Sequence, residues 1–213
     1  MKCDFHIHSK YSYDSMMEPR DILKLCRKKG YSTISITDHD SIKGSLEAKK
    51  YEKEFEVSIL VGEEILTDAG DIIGLNLNEE IKSRNWSETI DEIRSQGGIS
   101  ILPHPFRGHE DAEIIAKEVD LIEVWNSHTK PNYNEKALHL AKASGRPPLA
   151  GSDAHVFSEI GNVIMEFDDV FDFDKKFALK YCKKYEKAAS YIIKDIKSNN
   201  YHKIPLHLMR AIY

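Results

Sequence analysis

The chain has 213 residues, of which 41% are hydrophobic and 31% charged, ordinary values for one medium-sized folded domain with a core of its own. Its net charge of −5 speaks against a general nucleic-acid binder, because phosphate contacts need clustered Lys and Arg. Cys3, Cys26 and Cys182 form no C-x-x-C pair, and no apolar run approaches the roughly 18 residues of a membrane span, so a soluble chain in a reducing cytoplasm is expected.

In chain order, residues 2–7 read as a strand and 19–29 as a helix with Pro19 at its start and Gly30 at its end. A β-branched strand follows at 31–37, then a charged helical stretch at 41–55, a strand at 57–61 and a further one at 72–77. Residues 86–96 look helical, with Ser87 as N-cap. Strand 99–102, helix 111–117, strand 121–125, helix 132–143 and a short strand at 148–150 come next. Residues 163–167 are the expected last strand. Residues 175–213 hold ten Lys or Arg (Lys175 and Lys176 among them) against Glu186 and Asp195, so a basic helical segment from about 170 follows an acidic body. Such regular alternation predicts βα units and a largely parallel sheet, and about seven units suit a closed barrel. No Gly-rich fingerprint follows the first strand, as a doubly wound dinucleotide fold would have it, and no linker divides the chain.

Imidazoles and carboxylates gather at the ends of these strands. Asp4, His6 and His8 alternate with Cys3, Phe5 and Ile7, so both imidazoles share one face. His39 follows the second strand, Glu64 or Glu63 the third, His104 the strand at 99–102, and Asp153 with His155 the one at 148–150. In a parallel barrel the C-terminal strand ends share one rim, so residues almost 150 positions apart converge on a single pocket. Pro103 and Pro105 restrict the backbone around His104, and Asp153 and His155 face the same way if extended. The donors are N and O without sulfur, which favours zinc, manganese or iron, and they exceed what one ion can use, so two or three divalent ions are expected.

In these motifs the chain closely resembles the polymerase and histidinol phosphatase (PHP) family of metal-dependent phosphoesterases. Asp4-Phe5-His6-Ile7-His8-Ser9 with Ser12-Tyr13-Asp14, Thr37-Asp38-His39, Gly62-Glu63-Glu64, His104-Pro105 and Ser152-Asp153-Ala154-His155 appear in the family's order. The resemblance implies an α/β fold, a distorted TIM-like (β/α)7 barrel with the active site at the C-terminal ends of the strands. It implies His6, His8, Glu64 and Asp153 at one ion, with Glu64 bridging to a second that also takes His104. Asp14, His39 and His155 would hold a third. Where relatives carry a His-x-x-Gly this chain reads Gly70-Asp71-Ile72-Ile73-Gly74, so Asp71 is either a substitute ligand or a turn residue beside Gly70.

Metal-activated hydroxide attacking phosphorus in line would need no protein nucleophile. Arg107 is placed to grip a phosphate, and His128 and Lys130 to bind it or protonate the leaving oxygen. His109, His139, His202 and His207 read as surface or packing residues. The expected substrate is a small phosphorylated metabolite or nucleotide. The alternative is a nuclease acting on DNA or RNA ends or short oligonucleotides, helped by the basic segment, and a non-catalytic metal domain is disfavoured by the near-complete ligand set. A chain of this length leaves little room for lids.

Overall fold

In the computed structural model, residues 1–166 and 177–212 are described. Strands β1 (Lys2–Asp4), β2 (Thr33–Ile36), β3 (Ser58–Thr67), β4 (Gly70–Leu75), β5 (Ile99–Leu102), β6 (Leu121–Asn126), β7 (Pro148–Gly151), β8 (Val163–Glu166) and β9 (Phe177–Leu179) form one sheet. Its order is β7-β6-β5-β4-β3-β2-β1-β8-β9. Between the strands run α1 (Pro19–Lys29), α2 (Lys43–Lys49), α3 (Glu52–Phe55), α4 (Trp86–Ser95), α5 (Ala112–Ile115) and α6 (Pro131–Ser144), and α7 (Lys184–Lys197) and α8 (Ile204–Ile212) follow β9.

The sheet curls into a nearly closed, TIM-like barrel. Past the end of β1, Ile7 bridges Ala154 past the end of β7. The His8 N–H donates to the Ala154 carbonyl at 2.9 Å and the Asp153 N–H to the His6 carbonyl at 2.8 Å. The barrel is distorted because β4 runs antiparallel to both β3 and β5, and β8 antiparallel to β1. On the outside, α1 is a clear amphipathic case. Pro19 opens it, Gly30 closes it at φ 83°, and Ile22, Leu23 and Cys26 pack with Ile34 and Ile36 of β2. Each such large buried side chain contributes about 1.5–3 kcal/mol.

Several expected boundaries move, for identifiable reasons. The first strand ends at Asp4 because its carboxylate accepts the His6 N–H at 3.2 Å, a local bond that competes with the ladder. The strand at 57–61 extends to Thr67 and the one at 72–77 starts at Gly70, since the two form a hairpin turning at Asp68 and Ala69. The helical stretch at 41–55 is two helices, broken around Lys50 and Tyr51. Asn85, not Ser87, caps α4, its side chain accepting the N–H groups of Ser87 and Glu88. Residues 163–167 are not the last strand, because β9 pairs beyond them; Phe167, Lys175 and Lys176 lie outside the described residues.

The expectation about lids is corrected too, because α7 lies across the C-terminal mouth of the barrel. The Lys197 ammonium donates to the carbonyls of Lys10, Ser12 and Ser15 at 2.7, 2.6 and 2.6 Å. Lys187 donates to the His128 carbonyl at 2.7 Å. Rim loops with unpaired carbonyls therefore hold the basic helix in place, and part of its positive charge is spent on docking rather than presented to solvent. No helix among the described residues is long and apolar enough to cross a membrane.

Candidate metal centre

Nine side chains from six rim segments meet beneath α7. His6 and His8 extend from β1, and Asp14 lies in the loop beyond them. His39 follows β2, Glu64 sits within β3, Asp71 within β4, His104 after β5, and Asp153 and His155 after β7. His6 Nε2 lies 3.4 Å from Glu64 Oε2 and 3.3 Å from Asp153 Oδ1, and His8 Nε2 lies 3.3 and 3.2 Å from the same two atoms. Glu64 Oε1 is 3.1 Å from His104 Nε2, which is 4.0 Å from Asp71 Oδ2. Asp14 Oδ2 sits between His39 Nε2 at 3.3 Å and His155 Nε2 at 3.2 Å. Four overlapping groups of donors result: His6, His104 and Asp153; His6, His8 and Glu64; His8, Asp14, His39 and His155; and Glu64, Asp71 and His104.

One detail separates this from an ordinary hydrogen-bonded network. His6 Nε2 and His8 Nε2 are buried and make no hydrogen bond, although carboxylate oxygens stand around them. Orphaned buried nitrogens are costly, and nitrogens aimed with oxygens at a common point suit a shared cation. The residues present therefore fit divalent ions.

A second layer orients these donors. Glu123, buried on the inner face of β6, accepts from His6 Nδ1 at 2.9 Å, the His104 N–H at 2.9 Å and Asn126 Nδ2 at 3.0 Å. With Nδ1 engaged by that acceptor, Nε2 is the ring nitrogen turned towards Glu64 and Asp153, and it is the one that would give up its proton to bind an ion. Gly151 makes room, since a Cβ there would lie 2.0 Å from Glu123 Oε1. His8 Nδ1 is paired with Ser12 Oγ at 2.9 Å, and Ser12 donates to Asp38 at 3.0 Å. His104 and Asp153 carry φ values of 31° and 54°, left-handed conformations uncommon outside glycine and typical of functional positions. Asp153 and His155 are consequently not extended; the turn sends one carboxylate to the first donor group and one imidazole to the third.

Glu63, the alternative to Glu64, points away and accepts the Ile81 N–H at 3.0 Å; burial pushes its carboxyl up to about 7. Asp71 is no turn residue, because it pairs with Leu66 within the hairpin. Arg107 Nη2 donates to Asp153 Oδ2 at 2.6 Å and Nη1 to Asn126 Oδ1 at 3.3 Å. His128 reaches the pocket wall, whereas Lys130 is exposed before α6 with its ammonium 5.9 Å from the Tyr133 ring. His109 packs nearer than expected, its Nε2 2.8 Å from the Asp71 carbonyl and its ring 5.7 Å from that of His104. His139 and His202 are exposed, and His207 pairs with Asp195 at 3.0 Å. Sequence reading missed Glu123, whose signal was a lone acid at an inward position of an apolar strand. It also missed Lys187, Ser190, Tyr191 and Lys194, a helical i, i+3, i+4, i+7 face that closes a cavity of about 200 Å³ over the donors.

The charges reinforce one another. Burial alone would raise Glu64, but His6, His39 and His104 hold it well below the usual carboxylate range. Burial would likewise lower His155, yet Asp14, Asp153 and Glu159 raise it to about 9. Without metal this imidazole keeps its proton at neutral pH, and a ligand must lose it. Metal affinity should therefore rise by up to about tenfold per pH unit for each proton displaced, levelling off above about pH 9. Chelator competition between about pH 6 and 9 reads this directly, and a flat profile would contradict the ligand role.

Residues 4–202 match the PHP domain family. Two uncharacterized proteins of Methanocaldococcus jannaschii are similar, one 46% identical over 60% of this chain and 83% of its own length, the other 35% identical over 80% and 72%. Among solved structures, a two-domain protein from Bacteroides vulgatus containing a predicted PHP-like metal-dependent phosphoesterase superposes with a TM-score of 0.64 at 21% identity, over 73% of this chain and 52% of that one. The chain thus spans about half of that protein. An amidohydrolase from Chromobacterium violaceum superposes with a TM-score of 0.65 at 14% identity, over 88% and 96%.

Proposed function

The chain belongs to the PHP domain family, and we infer that it is a metal-dependent phosphoesterase hydrolysing a small phosphorylated metabolite or nucleotide. The observation that carries this reading is the pair of buried, unbonded His6 and His8 Nε2 atoms aimed with Glu64 and Asp153 at one point. His6, His8, Glu64 and Asp153 would hold one ion; Glu64, Asp71 and His104 a second; and Asp14, His39 and His155 a third. Divalent zinc, manganese or iron bound there supplies a water of lowered pKa and neutralises phosphoryl charge.

The chain's own groups do the rest. Glu123 fixes the His6 ring and the His104 backbone. Arg107 and Lys187 stand beside the donors as cations for the phosphoryl oxygens, and the bond from Arg107 to Asp153 holds the guanidinium at the pocket. The α7 face limits the cavity to a small substrate and sheds water from it. This reading takes residues 1–213 as one PHP domain with its basic C-terminal segment as a cover.

The exposed surface of α7, with Lys183 exposed just before it, supports a second reading as a nuclease taking a strand end. One screen separates the two, over sugar phosphates, mononucleotides, diesters and oligonucleotides, with manganese and with zinc. Saturable turnover of a small ester is expected, and preference for oligonucleotides would replace the first reading by the second. Metal analysis of protein purified without chelator should find at least two equivalents; fewer than two would sink the multinuclear centre.

A further inference from the structure

Beside the centre lies a second group of donors with a different composition. His128 follows β6, Glu159 lies in the loop after β7, and Cys182 stands between β9 and α7. Glu159 Oε1 is 2.8 Å from His128 Nε2 and 2.8 Å from Cys182 Sγ. The three donor atoms all lie within 4.8 Å of one another. His128 and Glu159 are 7% and 0% exposed.

One hydrogen bond runs within this group, from the Cys182 thiol to Glu159 Oε1, and it leaves the imidazole nitrogen unsatisfied. His128 Nε2 is buried and makes no hydrogen bond, although Glu159 Oε1 stands 2.8 Å away. Cys182 Sγ approaches Glu159 Oε1 more closely than the van der Waals contact of sulfur and oxygen. The other Glu159 oxygen is already used, accepting the N–H groups of His155 at 2.6 Å and Val156 at 3.1 Å, so Oε1 is held towards the cluster. The backbone of Cys182 is anchored as well, its N–H donating to the Ser127 carbonyl at 2.9 Å.

We propose that His128 Nε2, Glu159 Oε1 and Cys182 Sγ form a further cation site, separate from the N/O centre and suited to zinc. A thiolate in the donor set disfavours magnesium, calcium and manganese, whereas imidazole, carboxylate and thiolate together are ordinary zinc ligands. On binding, the sulfur–metal bond replaces the S–H bond and the thiol proton leaves to solvent. Because Cys182 lies just before α7, the ion fastens α7 to the barrel rim and ties His128 to a structural role.

Cobalt(II) titration of the metal-free full chain tests this without any activity assay. A sulfur-to-cobalt charge-transfer band in the near ultraviolet is expected, growing with one equivalent of cobalt. Cys182→Ser and His128→Gln should each remove the band and lower bound cobalt by about one equivalent. No band at saturating cobalt would overturn the site, and so would a band that persists in Cys182→Ser, since the sulfur would then be Cys3 or Cys26. Should Cys182→Ser not fold, His128→Gln alone decides by the same criterion. A chain binding a single cobalt with the thiolate band would keep this site while sinking the multinuclear centre.

Discussion

Glu64→Gln should lower metal-dependent hydrolysis of an aryl phosphate by more than about 100-fold and reduce the number of ions retained. Its two oxygens lie 3.1–3.4 Å from nitrogens of His6, His8, His39 and His104, so one carboxylate serves four imidazoles. Glutamine keeps the shape and removes the charge. It offers one weak acceptor where two ionised oxygens stood, and it turns an amide N–H₂ towards a cation. Steady-state kinetics with parallel metal analysis measures both effects, and an active Glu64→Gln protein would refute the bridging role.

Glu123→Ala is expected to cost about 10–100-fold in metal affinity or activity, although Glu123 belongs to none of the four donor groups at the centre. It is 1% exposed and accepts three hydrogen bonds, from His6, His104 and Asn126. Truncation frees the His6 ring to take the other tautomer and strands buried donors, at about 1–3 kcal/mol for each one left unsatisfied. Glu123→Gln, which still accepts from the His104 N–H, should recover part of the loss. A thermal melt and a metal titration of the two variants would separate orientation from stability, and wild-type metal affinity in Glu123→Ala would remove the positioning role.

The parts of this architecture legible in the sequence are local ones. Helix α1 could be read to its ends because Pro19 and Gly30 punctuate it and Ile22, Leu23 and Cys26 keep its period. The His, Asp and Glu clusters were legible because each sits at the boundary between an apolar run and a polar loop. The antiparallel hairpin of β3 and β4 was not, since both halves look like buried strands and pairing direction leaves no trace in a short apolar run. Asp71 illustrates the consequence: beside Gly70 it reads equally as turn or ligand, and only the pairing with Leu66 puts it within reach of His104.

By itself the sequence determined the chemistry on offer: hard nitrogen and oxygen donors, too many for one ion, at strand ends that a parallel barrel must bring to one rim. Tertiary structure alone decided that Asp71 comes within reach of His104, that Glu123 stands behind His6, and that α7 covers the pocket. Cys182, scattered and unpaired along the chain, acquires two partners only in space. The reason is that strand period and caps are set by neighbours within a few residues, whereas convergence of donors depends on contacts between segments more than a hundred positions apart, such as Asp153 with His6.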